Sequence, residues 1–226
     1  MDLNDILKST SLELKHDKDG LYLTDNIVKL RADLVEMAPR LKKGVLDTEL
    51  LVRAAKIKKT DHALTAIDAT AGFGQDSLLL AAAGFSVKLY EKNPVIAALL
   101  EDALNRAKEC PELKDAAGRM ELAGTDSIEA LKALNKAPDV IYLDPMFPKR
   151  KKSALIKKKF QLLQQLETPC ENEIELFEVA LAAQPRKIVV KRPAKGAYLA
   201  DRRPSYSLAG KAVRYDVFVL NHNYSE

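Results

Sequence analysis

From Ala63 onward the chain alternates short apolar runs with longer helical stretches, and this alternation constrains the fold more than any other feature. Strands are expected at Leu64–Ile67, Ser86–Tyr90, Met120–Leu122, Asp139–Leu143, Lys187–Val190 and Val213–Leu220. Helices are expected between them at Asp76–Ala83, Val95–Ala107, Ser127–Leu134, Ser153–Leu166 and Glu173–Ala183. Gly84 ends the first helix. Asn93 caps the second, with Pro94 at its first position, where a missing N–H costs nothing. Strands separated by helices form parallel, doubly wound α/β sheets. The last strand follows another closely enough to run antiparallel.

Residues 61–226 are read as this α/β domain, and residues 1–60 as a small N-terminal appendage. Within the appendage, Leu12-Glu13-Leu14 and Leu21-Tyr22-Leu23 flank a segment ending in Gly20, the pattern of a β-hairpin. Nearly half of the 226 residues are hydrophobic, enough for a full core. Cys110 and Cys170 lack CxxC spacing, and His16, His62 and His222 are scattered, so no metal is expected. The N-terminal residues lack a secretory pattern, and the longest apolar stretch, Leu78 to Phe85, is too short to span a bilayer. A cytoplasmic protein with no membrane partner is the expectation.

Open α/β sheets bind ligands beyond the carboxyl ends of their strands. The first such loop is Asp68-Ala69-Thr70-Ala71-Gly72-Phe73-Gly74, whose glycines allow a tight turn and close approach of a ligand. Glu91 ends the second strand, where an acid can accept hydrogen bonds from both hydroxyls of a ribose. Together they indicate an adenosine-containing cofactor. Asp76 stands at the helix start, where a dinucleotide would place its pyrophosphate. A carboxylate repels phosphate and suits a cation, which favours S-adenosylmethionine over NAD, although Asp76 also complements the helix dipole. Lys92 is the one residue here that would fit a 2′-phosphate. In the third loop, Asp126 and Ser127 can meet an adenine or cap the next helix.

The fourth loop carries the chemistry. Asp144-Pro145-Met146-Phe147-Pro148 follows the apolar run Val140–Leu143. A carboxylate at Asp144, a backbone carbonyl of Pro145 or Met146, and a ring at Phe147 suit a planar amine that must lose protons while its base is stacked. Alternatively, Asp-Pro merely ends the strand and Phe147 joins the core. A basic run follows, Lys149, Arg150, Lys151 and Lys152, then Lys157, Lys158 and Lys159. With Lys191 and Arg192 after the fifth strand, these are candidate phosphate contacts for RNA.

These stretches also resemble a known family. Asp68–Asp76, Glu91–Pro94, Tyr142–Pro148, Lys152–Leu155 and Val189–Pro193 are similar to the RsmJ family of bacterial S-adenosylmethionine-dependent methyltransferases, which act on guanine N2 of small-subunit ribosomal RNA. The similarity covers roughly Ala66 to Val219. It implies a Rossmann-like methyltransferase fold, S-adenosylmethionine as cofactor, and cofactor contacts at Gln75, Asp76, Glu91, Lys92, Asp126, Ser127 and Asp144. Where the family has a basic, glycine-rich segment before the core, this chain has Arg40-Leu41-Lys42-Lys43-Gly44. A methyltransferase for another RNA, a protein or a small molecule, a nucleotide-dependent oxidoreductase and a non-catalytic RNA-binding protein are the competing readings.

Overall fold

Short runs of Val, Ile, Leu and Tyr, apolar on both faces, can only be satisfied in the middle of a sheet covered by helices. In the computed structural model, which describes residues 2–58, 60–145, 162, 166 and 172–220, they form that middle. The N-terminal part holds α1 (Leu3–Thr10), β1 (Glu13–Asp17), β2 (Gly20–Thr24), β3 (Lys29–Leu30), α2 (Ala38–Leu41) and α3 (Leu50–Ala55). The α/β part follows as β4 (Thr65–Asp68), α4 (Gln75–Ala82), β5 (Ser86–Tyr90), α5 (Pro94–Glu109), α6 (Lys114–Ala117), β6 (Met120–Gly124), α7 (Ser127–Lys132) and β7 (Val140–Leu143). It ends with α8 (Glu173–Ala182), β8 (Lys187–Pro193), β9 (Tyr206–Ala209) and β10 (Val213–Val219).

The large sheet has the order β6-β5-β4-β7-β8-β10-β9. Its first five members are parallel, and β10 enters antiparallel between β8 and β9. The chain starts at β4, winds outward through β5 and β6, then returns to β7. The order therefore reverses between β4 and β7, where Asp68 pairs with Tyr142. Ligands bind at such a reversal.

Alternation along the strands divides the core into two clusters. Val140, Tyr142, Val189, Tyr215 and Val217 share one with Leu78–Ala81 of α4 and Leu99 and Leu100 of α5. Ile141, Leu143, Ile188, Val190 and Phe218 lie in the other with Leu176 and Phe177 of α8. Five successive buried residues in α4, Ser77–Ala81, explain its lack of a polar stripe: it is enclosed on most sides.

The hairpin expected in the appendage forms, with Asp17 opposite Gly20, and β3 extends it to three strands. The N-terminal part does not stand off from the sheet. Leu23, Leu34, Leu51 and Ala54 are buried in the same cluster as α4 and α5. Arg106 of α5 donates from Nη2 to the Ala32 carbonyl at 2.5 Å, and α3 packs on α4, β8 and β10. The helix expected at Ser153–Leu166 lies mostly outside the described residues. Leu162 and Leu166 are both helical and buried in the core, and the Leu166 carbonyl accepts from Asn93 Nδ2 at 2.7 Å. Among the described residues, no helix is long and apolar enough to cross a membrane, and no group of acidic, His or Cys side chains could hold a metal ion.

Candidate active site

Because β4 to β8 are parallel, their carboxyl ends lie on one edge of the sheet. That edge collects Asp68 to Asp76 after β4, Glu91 and Lys92 after β5, Asp126 and Ser127 after β6, Asp144 and Pro145 after β7, and Lys191 and Arg192 near the end of β8. The candidate residues within the described part thus reach one edge. Met146, Phe147 and the basic residues Lys149, Arg150, Lys151, Lys152, Lys157, Lys158 and Lys159 lie outside the described residues.

The first loop is held from below and from both sides. Asp68 is 1 % exposed and accepts from Ser77 Oγ at 2.5 Å and from the Thr70 N–H at 3.0 Å. Burial, opposed by these two hydrogen bonds, raises its pKa to about 7. The sequence pattern counts Asp68 among the cofactor contacts; its carboxylate instead organises the loop from underneath. Gly72 and Gly74 both have positive φ, 54° and 74°. A Cβ on Gly74 would come within 2.7 Å of Leu100 Cδ1, whereas one on Gly72 would meet nothing within 4 Å. Gly74 is thus required by packing, and Gly72 leaves open space over the loop.

Glu91 links the first and second loops. One carboxylate oxygen accepts from the Gly72 N–H and the other from the Asn93 N–H, each at 2.8 Å. Lys92 and Gln75 are exposed on either side. Asp126 caps α7, accepting from the Glu129 N–H at 3.1 Å, and Ser127 begins that helix.

At the centre, four side chains meet. Lys191 Nζ lies 2.7 Å from Asp76 Oδ2 and 2.9 Å from Asp144 Oδ2. The Tyr142 hydroxyl donates to the same Asp76 oxygen at 2.5 Å. Strand register explains the meeting: Tyr142 pairs with Val189, and Lys191, two residues on, shares that face and pairs with Tyr215. Burial works against the charge on Lys191, but the two carboxylates outweigh it and hold its pKa above the usual lysine range. Burial, reinforced by Asp76, raises the Tyr142 and Tyr215 phenols, so both remain neutral donors. Asp144 itself is oriented by its backbone N–H, which donates to Thr70 Oγ1 at 2.6 Å.

Two sequence expectations are corrected here. Lys191 is not a surface cation awaiting phosphate; its ammonium points into the site. Arg192, on the opposite face, is 6 % exposed. It donates from Nε to the Ala197 carbonyl at 2.9 Å and pairs with Glu173 of α8 at 3.3 Å. Alternation along a buried strand directs both side chains inward, one to each face. Conversely, sequence reasoning missed Tyr142, Thr70 and Tyr215. The first was legible in outline: the third residue of a fully apolar run carries a hydroxyl that, when buried, needs a partner.

Open space over Gly72, the Glu91 carboxylate and the Asp76 carboxylate, which already meets Lys191 and Tyr142, lie together on this edge. Asp76 at the start of α4 disfavours a pyrophosphate.

Fold and site together define an S-adenosylmethionine-dependent methyltransferase. Residues 3–220 match the family described as "Putative SAM-dependent methyltransferase". The chain is 39 % identical to ribosomal RNA small subunit methyltransferase J of Nitrosococcus oceani, over 96 % of this chain and 84 % of that protein. It is 45 % identical to the protein of the same name from Thioalkalivibrio sulfidiphilus, over 77 % of this chain and 69 % of the relative. A crystal structure of a SAM-dependent methyltransferase from Neisseria gonorrhoeae superposes with a TM-score of 0.73 at 30 % identity, covering 95 % of this chain and 84 % of that one. The chain belongs to the ribosomal RNA small subunit methyltransferase J family of SAM-dependent methyltransferases.

Proposed function

We propose that this protein transfers a methyl group from S-adenosylmethionine to the exocyclic N2 amine of a guanine in small-subunit ribosomal RNA, in the cytoplasm where ribosomes are made. The observation that carries this reading is the placement of Asp144. It is held at the switch-point edge by Thr70, directly beside the acid that suits the cofactor's cation, Asp76.

S-adenosylmethionine supplies an electrophilic methyl group on a sulfonium. The protein's task is to position and activate the acceptor. The lone pair of a guanine amine is delocalised into its ring. Asp144 accepts one amine hydrogen bond and the Pro145 carbonyl accepts another, which favours a pyramidal nitrogen. As the new N–C bond forms and the C–S bond breaks, the amine becomes cationic and gives up a proton, which the Asp144 carboxylate would accept. Phe147 provides a stacking surface for the extruded base. Glu91 would hold the ribose hydroxyls, Asp76 would hold the amino group, and Gln75, Lys92, Asp126 and Ser127 would border the cofactor. The basic run Lys149–Lys152 with Lys157–Lys159 neutralises phosphates of the RNA.

The test is methylation of small-subunit ribosomal RNA from a strain lacking the gene, using purified protein and labelled S-adenosylmethionine, followed by nucleoside analysis. Label in N2-methylguanosine is expected. Label in another nucleoside, or only in protein, overturns the acceptor assignment.

A further inference from the structure

We infer that Lys191 is a positioning residue for methyl transfer, keeping Asp144 ionised and aimed by bridging it to Asp76. This inference rests on the acceptor role of Asp144 given above. The observation is one ammonium within 3 Å of two carboxylates that follow different strands, 2.7 Å from Asp76 Oδ2 and 2.9 Å from Asp144 Oδ2. The lysine side chain is only 25 % exposed. It does not lie along the surface, where a lysine contacting phosphate would need to be.

Three carboxylates crowd this edge: Asp68, Asp76 and Asp144. Like charges raise one another's pKa. The crowding is felt at Asp68, where Asp76 and Asp144 both push the pKa upward. An ammonium set between Asp76 and Asp144 offsets that repulsion and favours the charged form of both. A protonated carboxyl can neither accept that amine hydrogen bond as a carboxylate nor take up the proton released. Among the described residues, the other groups facing the cluster are placed differently from the lysine. Tyr142 and Tyr215 are neutral phenols. Arg192 acts on Asp144 only as a more distant charge from the far side of its strand, where its guanidinium contacts Glu173 and the Ala197 carbonyl. Arg40 is held by Glu49 through two 2.7 Å contacts.

Lys191 also fixes direction. The Thr70 hydroxyl orients the Asp144 backbone, and the ammonium orients its side chain. Tyr142 holds the other end of the bridge by donating to Asp76. The carboxylate that meets the amine is thereby preset before RNA arrives, and its reorganisation during transfer is small.

The test is a carbon-13 carboxyl titration of aspartate-labelled free protein, with Asp144 assigned by the signal missing in D144N. In the wild type, Asp144 should titrate below the ordinary aspartate range. In K191M its midpoint should rise by about one to three pH units, the usual effect of removing an opposite charge at this distance. K191R should stay near the wild type. The acidic limb of the kcat–pH profile should shift with the titration in K191M, with activity partly recovered at high pH. An unmoved Asp144 midpoint in K191M, or a pH-independent loss of kcat, overturns the inference. If K191M does not fold by circular dichroism, a wild-type Asp144 midpoint at or above the ordinary value overturns it alone. The titration needs no RNA, so an error in the acceptor assignment would leave it intact. A failed titration would leave that assignment standing.

Discussion

The backbone N–H of Asp144 donates to the side-chain oxygen of Thr70 at 2.6 Å, joining the loop after β7 to the loop after β4. The loop read as holding the cofactor thus positions the residue read as meeting the amine. Thr70 is itself set by Asp68, which accepts its N–H. A buried acid, the Thr70 residue and the backbone of Asp144 therefore form one chain of contacts.

Replacing Thr70 by Val keeps the shape and removes the acceptor for the Asp144 N–H. The missing hydrogen bond is worth about 1 kcal/mol, and misplacement of a reacting group adds to the barrier. The expected result is kcat lowered about fivefold or more with KM for S-adenosylmethionine changed much less, and near-complete rescue by T70S. Steady-state kinetics of the three proteins provide the check.

Gly74 and Gly72 separate packing from conformation. Both have positive φ, but only Gly74 lacks room for a Cβ. Leu100, against which that Cβ would press, is fully buried and cannot swing away. Gly72→Ala should cost about 1 kcal/mol, the left-handed penalty alone. Gly74→Ala should cost about 1–3 kcal/mol more, from overpacking. Urea denaturation measures both, and truncating Leu100 to Ala in the Gly74→Ala background should recover part of the second loss.

Asp68 makes stability depend on pH. Its folded pKa, about 7, exceeds the ordinary value near 4. In that window the folded state binds more protons than the unfolded state, so this group's contribution is fully present below about pH 4 and is lost as pH rises toward 7. Asp68→Asn keeps an acceptor for Thr70 and a polar partner for Ser77 while abolishing the titration. Between about pH 4 and 7 the wild type should lose stability relative to D68N, measured by urea midpoints at successive pH values. A constant difference between the two proteins would contradict the pKa.

The basic residues divide into two kinds. K151E with K152E should weaken RNA binding and reduce the magnitude of its salt slope by roughly 0.7–0.9 for each phosphate left without its cation, with cofactor affinity unchanged. Arg192→Met should behave differently: it removes the hydrogen bonds to Glu173 and the Ala197 carbonyl, costing about 1–3 kcal/mol of stability, while the folded fraction binds RNA as before. Filter binding across salt concentrations, beside thermal denaturation, distinguishes them.

Sequence alone predicted the α/β sheet because its strands are short apolar runs bounded by turns, and β5 has the same bounds in sequence and structure, Ser86–Tyr90. It also placed Gly72, Glu91, Asp76 and Asp144 at one edge, because parallel topology does so automatically. The orientation of Lys191 and Arg192 was misjudged because a lysine-arginine pair was read by charge. The pair continues the alternation of Val189 and Val190, which directs each side chain into a different layer. The burial of Asp68 was not legible either, since an acid before a glycine loop reads the same whether it faces the ligand or supports the loop. Strand β9 was missed because it is largely exposed and carries no strong apolar pattern; α1 does carry one, with Leu3, Ile6 and Leu7 at helical spacing against the core, but within only eight residues.

The role of Asp144 is tested most directly by single-turnover methyl transfer to small-subunit ribosomal RNA by D144N, with cofactor binding measured on the same preparation. The expected result is a folded protein that binds S-adenosylmethionine and transfers its methyl group at least about a hundredfold more slowly, the usual cost of losing a proton acceptor in the transition state. Transfer within about twofold of the wild type would show that Asp144 does not accept from the amine and would contradict the proposed mechanism.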